Sequence, residues 1–386
     1  MKILYAAPLP LGELRQIGCG KRELKGNHEH FLFSLFSYVR KKGNEIILVT
    51  SSRDIRKEEV YHQERLTIRV VPLWKHGRLS AFDTFKTDVK RIAEIIKKEE
   101  ADLYHAQWSY EEAMACLITH PEKTLITMHD WPDAVCPAIG NYYWRKRNIL
   151  GNEVIKRGKY FIAVSPYIRK KLLSMNKNAE VEVIPNYFCE DELEIFKDTS
   201  EEHEDIRVIC VNNGFSGIKN TEVAMKAFAE ARKEISKIRL DMYGDDYEKG
   251  GAAEKWADNN LDSTDGITFH GKVSRSEMAK AFSEANILLH TSKEESFGLV
   301  YLEAMASGTA IVAGQTTGAT PLVLGEGLSS HLTDISDKES VKNKLKEVIK
   351  EGHKEYAYNR LKEIYLDDIV LRRTYNLYLR LVDDNE

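Results

Sequence analysis

Short apolar runs alternate with amphipathic stretches along the whole chain, and the period of the apolar positions shifts accordingly between strand-like and helix-like. In the first half the runs KILYAA, EIILVT, TIRVV, DLYHA, LITMH, FIAVS and VEVIP predict buried strands. Between them, residues 28–42, 84–99, 110–119, 141–156 and 166–175 predict helices. The stretch 189–205, CEDELEIFKDTSEEHED, is acidic and weakly periodic and predicts a linker. After it the alternation restarts with RVICV, IRLDMY, GITFHG, NILLH and AIVAG, and late helices are expected over 337–351, 355–365 and 368–382. Strand–helix alternation of this kind implies α/β domains with doubly wound parallel sheets. The expected layout is a Rossmann-like domain over 1–190 and a second over 206–367.

The less common residues gather at strand ends. In the first half these are residues 8–26, His105 and Gln107, His129 and Asp130, and Ser165; in the second, residues 212–219, 244–246 and 270–272. In an open parallel sheet the carboxyl ends share one edge, and that edge binds ligands. Two such sheets are expected to face each other across a cleft.

One stretch concentrates this chemistry: residues 291–314, TSKEESFGLVYLEAMASGTAIVAG. It predicts an acidic loop after the strand NILLH, then a helix opened by Phe297 and Gly298 and ended at Gly308, then a strand. Free amides at such a helix start attract phosphate, and Gly298 lets a ligand come close to the backbone. Glu295 and Glu303 have seven residues between them, and Glu303 falls one turn beyond Leu299 on the same helical face. Phosphate at the amides and sugar or ribose hydroxyls at the carboxylates would suit a nucleotide-linked sugar. E-x7-E with FG after the first Glu, followed by AMASG and IVAG, resembles the donor-site signature of retaining GT-B glycosyltransferases of family 4.

The resemblance extends unevenly over nearly the whole chain. KGNHEHFLFSL is similar to the glycine-bearing loop after the first strand, with Gly26 kept and Asn27 where a second glycine is usual. It implies acceptor-side or sugar-loop roles for Gly26, Asn27 and Asp130. Donor-binding roles follow for Asn213, Gly271, Val273, Ser296, Phe297, Gly298, Leu299 and Glu303, and catalytic roles for Lys219, Glu295 and His129. Lys219 matches the family's phosphate-binding lysine, but Gly214 stands where an arginine is usual five residues earlier. His129 has two readings, a buried histidine satisfied by backbone or a hydrogen-bond partner of a donor-sugar hydroxyl or of the reacting centre. Trp108 and Trp131 are either core residues or platforms for a sugar face. The implied reaction transfers a sugar from a nucleotide-sugar to an acceptor hydroxyl with retention and without a metal or cofactor. The last helix, 368–386, is expected on the first domain. An epimerase on the same architecture and a non-catalytic partner subunit are the alternatives; the missing arginine motivates the latter.

Composition narrows the field. The 386 residues are 42% hydrophobic, enough for ordinary cores. No apolar run approaches a membrane span and the start reads as a strand, so a soluble cytoplasmic protein is expected. The five scattered cysteines form no CxxC pair and are expected to pack. IGCGKREL does not complete a dinucleotide fingerprint and GFSGIKN is not a P-loop, which argues against those nucleotide-binding classes. Nor does any metal-ligand spacing stand out. Residues 1–190 hold 31 Lys+Arg and 23 Asp+Glu, a net +8, leaving −12 for the remainder of a chain whose formal charge is −4. A basic first half fits a glycan or lipid-linked acceptor at the inner face of an anionic membrane. No nucleic-acid motif accompanies the charge.

Overall fold

The strands collect into two separate sheets, each wound by the helices that connect them. The computed structural model describes residues 1–21, 31–199, 203–351 and 355–384. It divides into two units: Met1–Pro185 with Val370–Glu386, and Asn186–Ile369. Both are α/β units built on a mainly or wholly parallel sheet, the expected fold class.

In the first unit the strands are β1 (Lys2–Ala6), β2 (Glu45–Ser52), β3 (Glu59–Gln63), β4 (Leu66–Pro72), β5 (Leu103–Gln107), β6 (Thr124–Met128), β7 (Tyr160–Ala163) and β8 (Glu180–Val183). They run in the order β3-β4-β2-β1-β5-β6-β7-β8. Every pair is parallel except β3 with β4. β5 and β6 are buried at every position, because helices cover both faces, and so they read as continuous apolar runs. β3 escaped the pattern because EVYHQ is polar and only half-buried at the sheet edge. Arg65, at φ 57, turns the chain back into β4.

Among the described residues of the first unit, three α-helices lie outside the expected set: Leu11–Gly18, Gly77–Phe82 and Pro132–Ile139. They are short and inserted into strand-end loops, where no long apolar period marks them. Gly26, Asn27 and His28 lie outside the described residues. The final helix, Asp367–Asp383, carries its contacts to the first unit. Tyr378 Oη is 2.6 Å from His105 Nδ1, Arg380 pairs with Glu182 at 3.1 Å, and Asn44 donates to Tyr375 Oη at 3.1 Å.

The second unit contains β9 (Ile206–Val211), β10 (Ile238–Tyr243), β11 (Ile267–Gly271), β12 (Ile287–His290), β13 (Ala310–Gly314) and β14 (Leu332–Thr333). Their order is β11-β10-β9-β12-β13-β14, all parallel. The two-residue β14 is too short to show a period. The segment read as a linker is not a free tether. Its residues Glu190–Phe196 form a 3-10 helix within the second unit, and Phe196 is fully buried, 5.1 Å from the Phe188 ring and 5.9 Å from that of Phe282. The cysteines divide as well: Cys116, Cys189 and Cys210 are buried, whereas Cys19 is exposed and does not pack.

Candidate functional site

β9 lies between β10 and β12, so chain direction through the second sheet reverses at the β9–β12 pair. Loops leaving two such strands separate to opposite sides and open a crevice at their carboxyl ends. Here those loops are 212–220 after β9 and 291–298 after β12. They are stitched together by Lys293 N–H donating to Ile218 O at 2.7 Å and Thr291 Oγ1 donating to Asn220 O at 3.0 Å. Asn220, left-handed at φ 54, ends the first loop and donates its side-chain amide to Ile335 O at 2.8 Å. That bond fixes the start of the helix Thr221–Glu234 and with it Lys219.

Lys219 Nζ donates to Glu295 Oε1 at 3.0 Å, and His290 Nε2 lies 3.0 Å from the same oxygen. Oε2 carries neither bond. The Glu295 side chain is 14% exposed. Burial works against its ionisation, but the His290 hydrogen bond and the charges of Lys219 and His290 outweigh it and hold the carboxyl at about 2. His290 Nδ1 is buried without a hydrogen-bond partner. The two proposed catalytic residues of this unit are thus in contact. His290, the last residue of β12, completes the group and was not assigned from sequence; its place at a strand end, five residues before Glu295, was the available signal.

The helix that follows begins later than expected. Gly298, at φ 87, is its N-cap, and the helix runs Leu299–Ala306. Phe297 precedes it, buried with its ring 5.7 Å from that of Tyr365. A Cβ on Gly298 would lie 2.5 Å from the Tyr301 ring, so both conformation and space require glycine there. Ser296 is half-buried in the loop and Leu299 is 40% exposed at the helix start. No side chain caps this helix, which leaves its first amides to the crevice.

Glu303 is not an open carboxylate. It pairs with Arg275, and Arg275 also bonds Glu192 at 2.6 Å. Burial raises the Glu303 pKa, Arg275 opposes the rise, and Glu192 adds to it. Arg275 is therefore a second residue that sequence reading missed. It opens the helix Arg275–Ser283, whose Ser274–Glu277 capping box fixes its start, and no local pattern links it to carboxylates 28 and 83 residues away. Gly271 ends β11 at φ 72, with Glu248 2.8 Å from where a Cβ would stand. Val273 is half-buried just before the capping box. Asn213 is exposed on the Lys219 loop, and Gly214 follows at φ 81.

His129 and Asp130 belong to the first unit, at the end of β6. His129 Nε2 donates to Gln107 Oε1 at 2.8 Å, and its ring packs 4.6 Å from Trp108 and 5.2 Å from Phe31. Behind it, buried His105 is 2.7 Å from Thr127 Oγ1 and is pushed down to about 3 by burial and by neighbouring His129. Asp130 accepts from Tyr110 Oη at 3.1 Å; burial pushes it up to about 6, and its Oδ1 has no partner. Trp131 is buried. Among the described residues no group of three or more His, Cys, Asp or Glu is placed to hold a metal ion.

Two family models match the chain in succession: Glycosyltransferase Family 4 over residues 28–188 and Glycosyl transferases group 1 over 191–363. The chain is 24% identical over 328 residues to the N-acetyl-alpha-D-glucosaminyl L-malate synthase of Bacillus anthracis, covering 81% of this chain and 82% of that enzyme. It is 24% identical over 303 residues to the alpha-monoglucosyldiacylglycerol synthase of Streptococcus pneumoniae, covering 72% of this chain and 66% of that enzyme. Among solved structures, the sucrose-phosphate synthase of Thermosynechococcus elongatus superposes with a TM-score of 0.75 at 17% identity, covering 100% of both chains. Anabaena HepE, solved in complex with UDP and glucose, gives 0.66 at 16% identity over 98% of this chain and 99% of the other.

Proposed function

The chain belongs to glycosyltransferase family 4, and on that premise we propose that it moves a sugar from a nucleoside-diphosphate donor to an acceptor hydroxyl with retention of configuration, without a metal or cofactor. The observation that carries this is the Lys219–Glu295–His290 group at the strand-order reversal of the second sheet. The Lys219 ammonium is held in place by Glu295 before any ligand arrives. Fixed charge of this kind stabilises the diphosphate as the C1–O bond breaks and the electron pair passes to phosphate oxygen. The acceptor oxygen bonds to C1 on the same face and its proton goes to the departing phosphate. Glu295 Oε2, bonded to neither Lys219 nor His290, is available to a donor-sugar hydroxyl, and the uncapped amides of the helix Leu299–Ala306 to phosphate. In the first unit, His129 presents its ring beside Trp108 at the matching sheet edge, suited to sugar hydroxyls.

The acceptor class we favour is a small hydroxyl-bearing carrier in glycolipid or polysaccharide assembly, met at the cytoplasmic face of an anionic membrane. The names of the two relatives point to N-acetylglucosaminyl malate and monoglucosyldiacylglycerol as products, and the basic first half agrees with an anionic surface. A thermal-shift panel of UDP-, GDP- and ADP-sugars tests the donor, since a ligand of the folded state raises its apparent stability. The preferred donor should then yield a product whose anomeric proton coupling matches that of the donor. Inversion would refute the mechanism. Release of free or epimerised sugar in the presence of every acceptor would favour the epimerase, and donor binding without turnover would favour the non-catalytic subunit that Gly214 brings to mind.

A further inference from the structure

The surface of the first unit carries an apolar ridge inside a field of basic residues. The helix Gly77–Phe82 leaves Leu79 53% and Phe82 81% exposed, and Trp74 just before it is 42% exposed. Lys75, Arg78, Lys86 and Lys90 are exposed among them. The two acidic residues of this segment are engaged: Asp83 accepts from the Thr87 amide at 2.9 Å, and buried Asp88 pairs with Arg53 at 3.0 Å. The short helix lies against the helix Tyr142–Arg157. Gly77 leaves room for Tyr143, whose ring is also 5.1 Å from Phe85. Tyr142 and Ile149, 54% and 51% exposed, share the outer stripe of that longer helix with exposed Arg145.

Beside the ridge is a cleft of about 490 Å³ lined by Arg53, Arg56, Trp74, Lys75 and Arg91, with Asp54 the acidic residue in its wall. Arg91 lies 5.0 Å from the Trp74 ring centre. Arg53 follows β2 directly and Trp74 follows β4 by two residues, so the cleft opens at the carboxyl edge of the first sheet, the edge that also carries His129. Isolated exposed apolar residues need no explanation, but several on neighbouring elements interleaved with Lys and Arg mark an interaction surface. The charge complement is anionic, and side chains of the Trp, Leu and Phe type enter the boundary between headgroups and acyl chains.

We propose that this face docks the protein on an anionic lipid bilayer, with Leu79 and Phe82 entering the interface and a lipid phosphate occupying the Arg53–Arg56–Lys75–Arg91 cleft. It rests on the reading of a lipid-borne acceptor and deepens it, by setting the anionic headgroup at the sheet edge where that acceptor would be held. The test is flotation of the full chain with phosphatidylcholine vesicles, with and without phosphatidylglycerol, at low and high salt. Wild type should float only with the anionic vesicles and be released as salt shortens the Debye length. Lys75→Glu/Arg78→Glu/Lys86→Glu should weaken binding by at least roughly a hundredfold, since losing three basic residues alone is on that scale and the new carboxylates are repelled. Leu79→Ser/Phe82→Ser should weaken it by about tenfold with little loss of thermal stability, because both side chains are more than half exposed. Equal flotation with neutral vesicles, or full binding by either variant, overturns the proposal; so does binding lost only when basic residues elsewhere, such as Lys170 and Lys171, are reversed. Transfer to a detergent-solubilised acceptor is measured in parallel. Turnover without vesicle binding sinks the docking surface alone, and vesicle binding without turnover sinks the transferase reading alone.

Discussion

The carboxyl edges of the two sheets are alike in being built from strand-end loops and differ in the partners they give their ionisable groups. At the second sheet carboxylates meet basic side chains: Lys219 donates to Glu295 Oε1, His290 Nε2 contacts the same oxygen, and Arg275 joins Glu303 to Glu192. At the first sheet His129, Asp130 and Glu112, which follow β5 and β6, bond to neutral partners, and burial pushes several groups there towards neutrality. His129 bonds Gln107, His105 is held down to about 3, Asp130 is raised to about 6, and Glu112 is raised to about 7 by burial and by Glu111. The second edge sets cations against its carboxylates, whereas the His129 end of the first edge relies on neutral partners and the basic groups of that edge line the Arg53–Arg91 cleft. A fixed ammonium suits a leaving diphosphate, and the neutral, aromatic His129 end suits hydroxyls, in line with the division of labour in the proposed function.

The largest expected effect breaks the matched charges at the second edge. Arg275→Ala leaves Glu192 and Glu303 both buried without their cation, which typically costs about 3 kcal/mol or more. Urea unfolding should show the second unit melting earlier while the first is unchanged. An unshifted midpoint would mean that these carboxylates are protonated or rehydrated at little cost, and the contrast between the edges would fail. Lys219→Ala acts on function instead. We expect turnover at saturating donor to fall roughly a hundredfold, the scale for one preorganised electrostatic contact. Near-normal turnover would move the diphosphate away from this loop.

Acid titration separates the edges by sign. Glu295 is lowered from 4.5 to about 2, so its stabilising contribution is present above 4.5 and is lost as pH falls towards 2. Asp130 is raised from 3.8 to about 6, so its folded form keeps a proton that the unfolded chain releases, and stability is lost as pH rises through that window. Glu295→Gln should therefore be destabilised relative to wild type by on the order of 2 kcal/mol above pH 5, with the gap closing in acid. Asp130→Asn should match wild type near pH 4 and gain by a similar order by pH 6 to 7. His105 titrates identically in wild type and variant and drops out of the difference. Parallel pH slopes for both variants would erase the contrast.

How much of this could be read from sequence depends on whether the information is local. The buried parallel strands are apolar on both faces, so β1, β5, β6, β9, β12 and β13 were legible as runs. β3 and β14 were not, because one is a polar edge strand and the other has two residues. Lys219 and Glu295 were legible through the spacing and lettering around them, and the sheet order explains why loops 76 residues apart meet. His290 is an intermediate case: it closes an apolar run at a strand end, so its position is local information, but its bond to Glu295 depends on how the loop folds back. Arg275 had no local signature, since its partners come from a 3-10 helix and another helix far along the chain. The segment containing that 3-10 helix read as a linker because charge outnumbers apolar residues there. Among its described residues Cys189, Glu192 and Phe196 are buried, and so few apolar anchors give no period.

The smallest expected effect concerns Glu303, where the sequence reading and the geometry pull apart. Its spacing from Glu295 suggested a ribose partner, yet the structure commits the side chain to Arg275. The two roles are compatible only if Arg275 fixes the carboxylate and leaves an oxygen for the diol. Glu303→Gln keeps the shape and a hydrogen-bond acceptor while removing the charge. It also removes one of the two negative charges that crowd Arg275, so Glu192 still compensates the guanidinium. Stability should consequently change far less than in Arg275→Ala. Nucleotide affinity should fall by about tenfold, near 1.4 kcal/mol, the usual range for hydrogen bonds to a charged group. Calorimetry of nucleotide binding decides it, with Arg275→Ala measured alongside. Equal affinity in Glu303→Gln and wild type would make Glu303 a structural counter-charge only. The charged second edge would then bind its ligand through Lys219, the Gly298 helix start and the Glu295 loop alone.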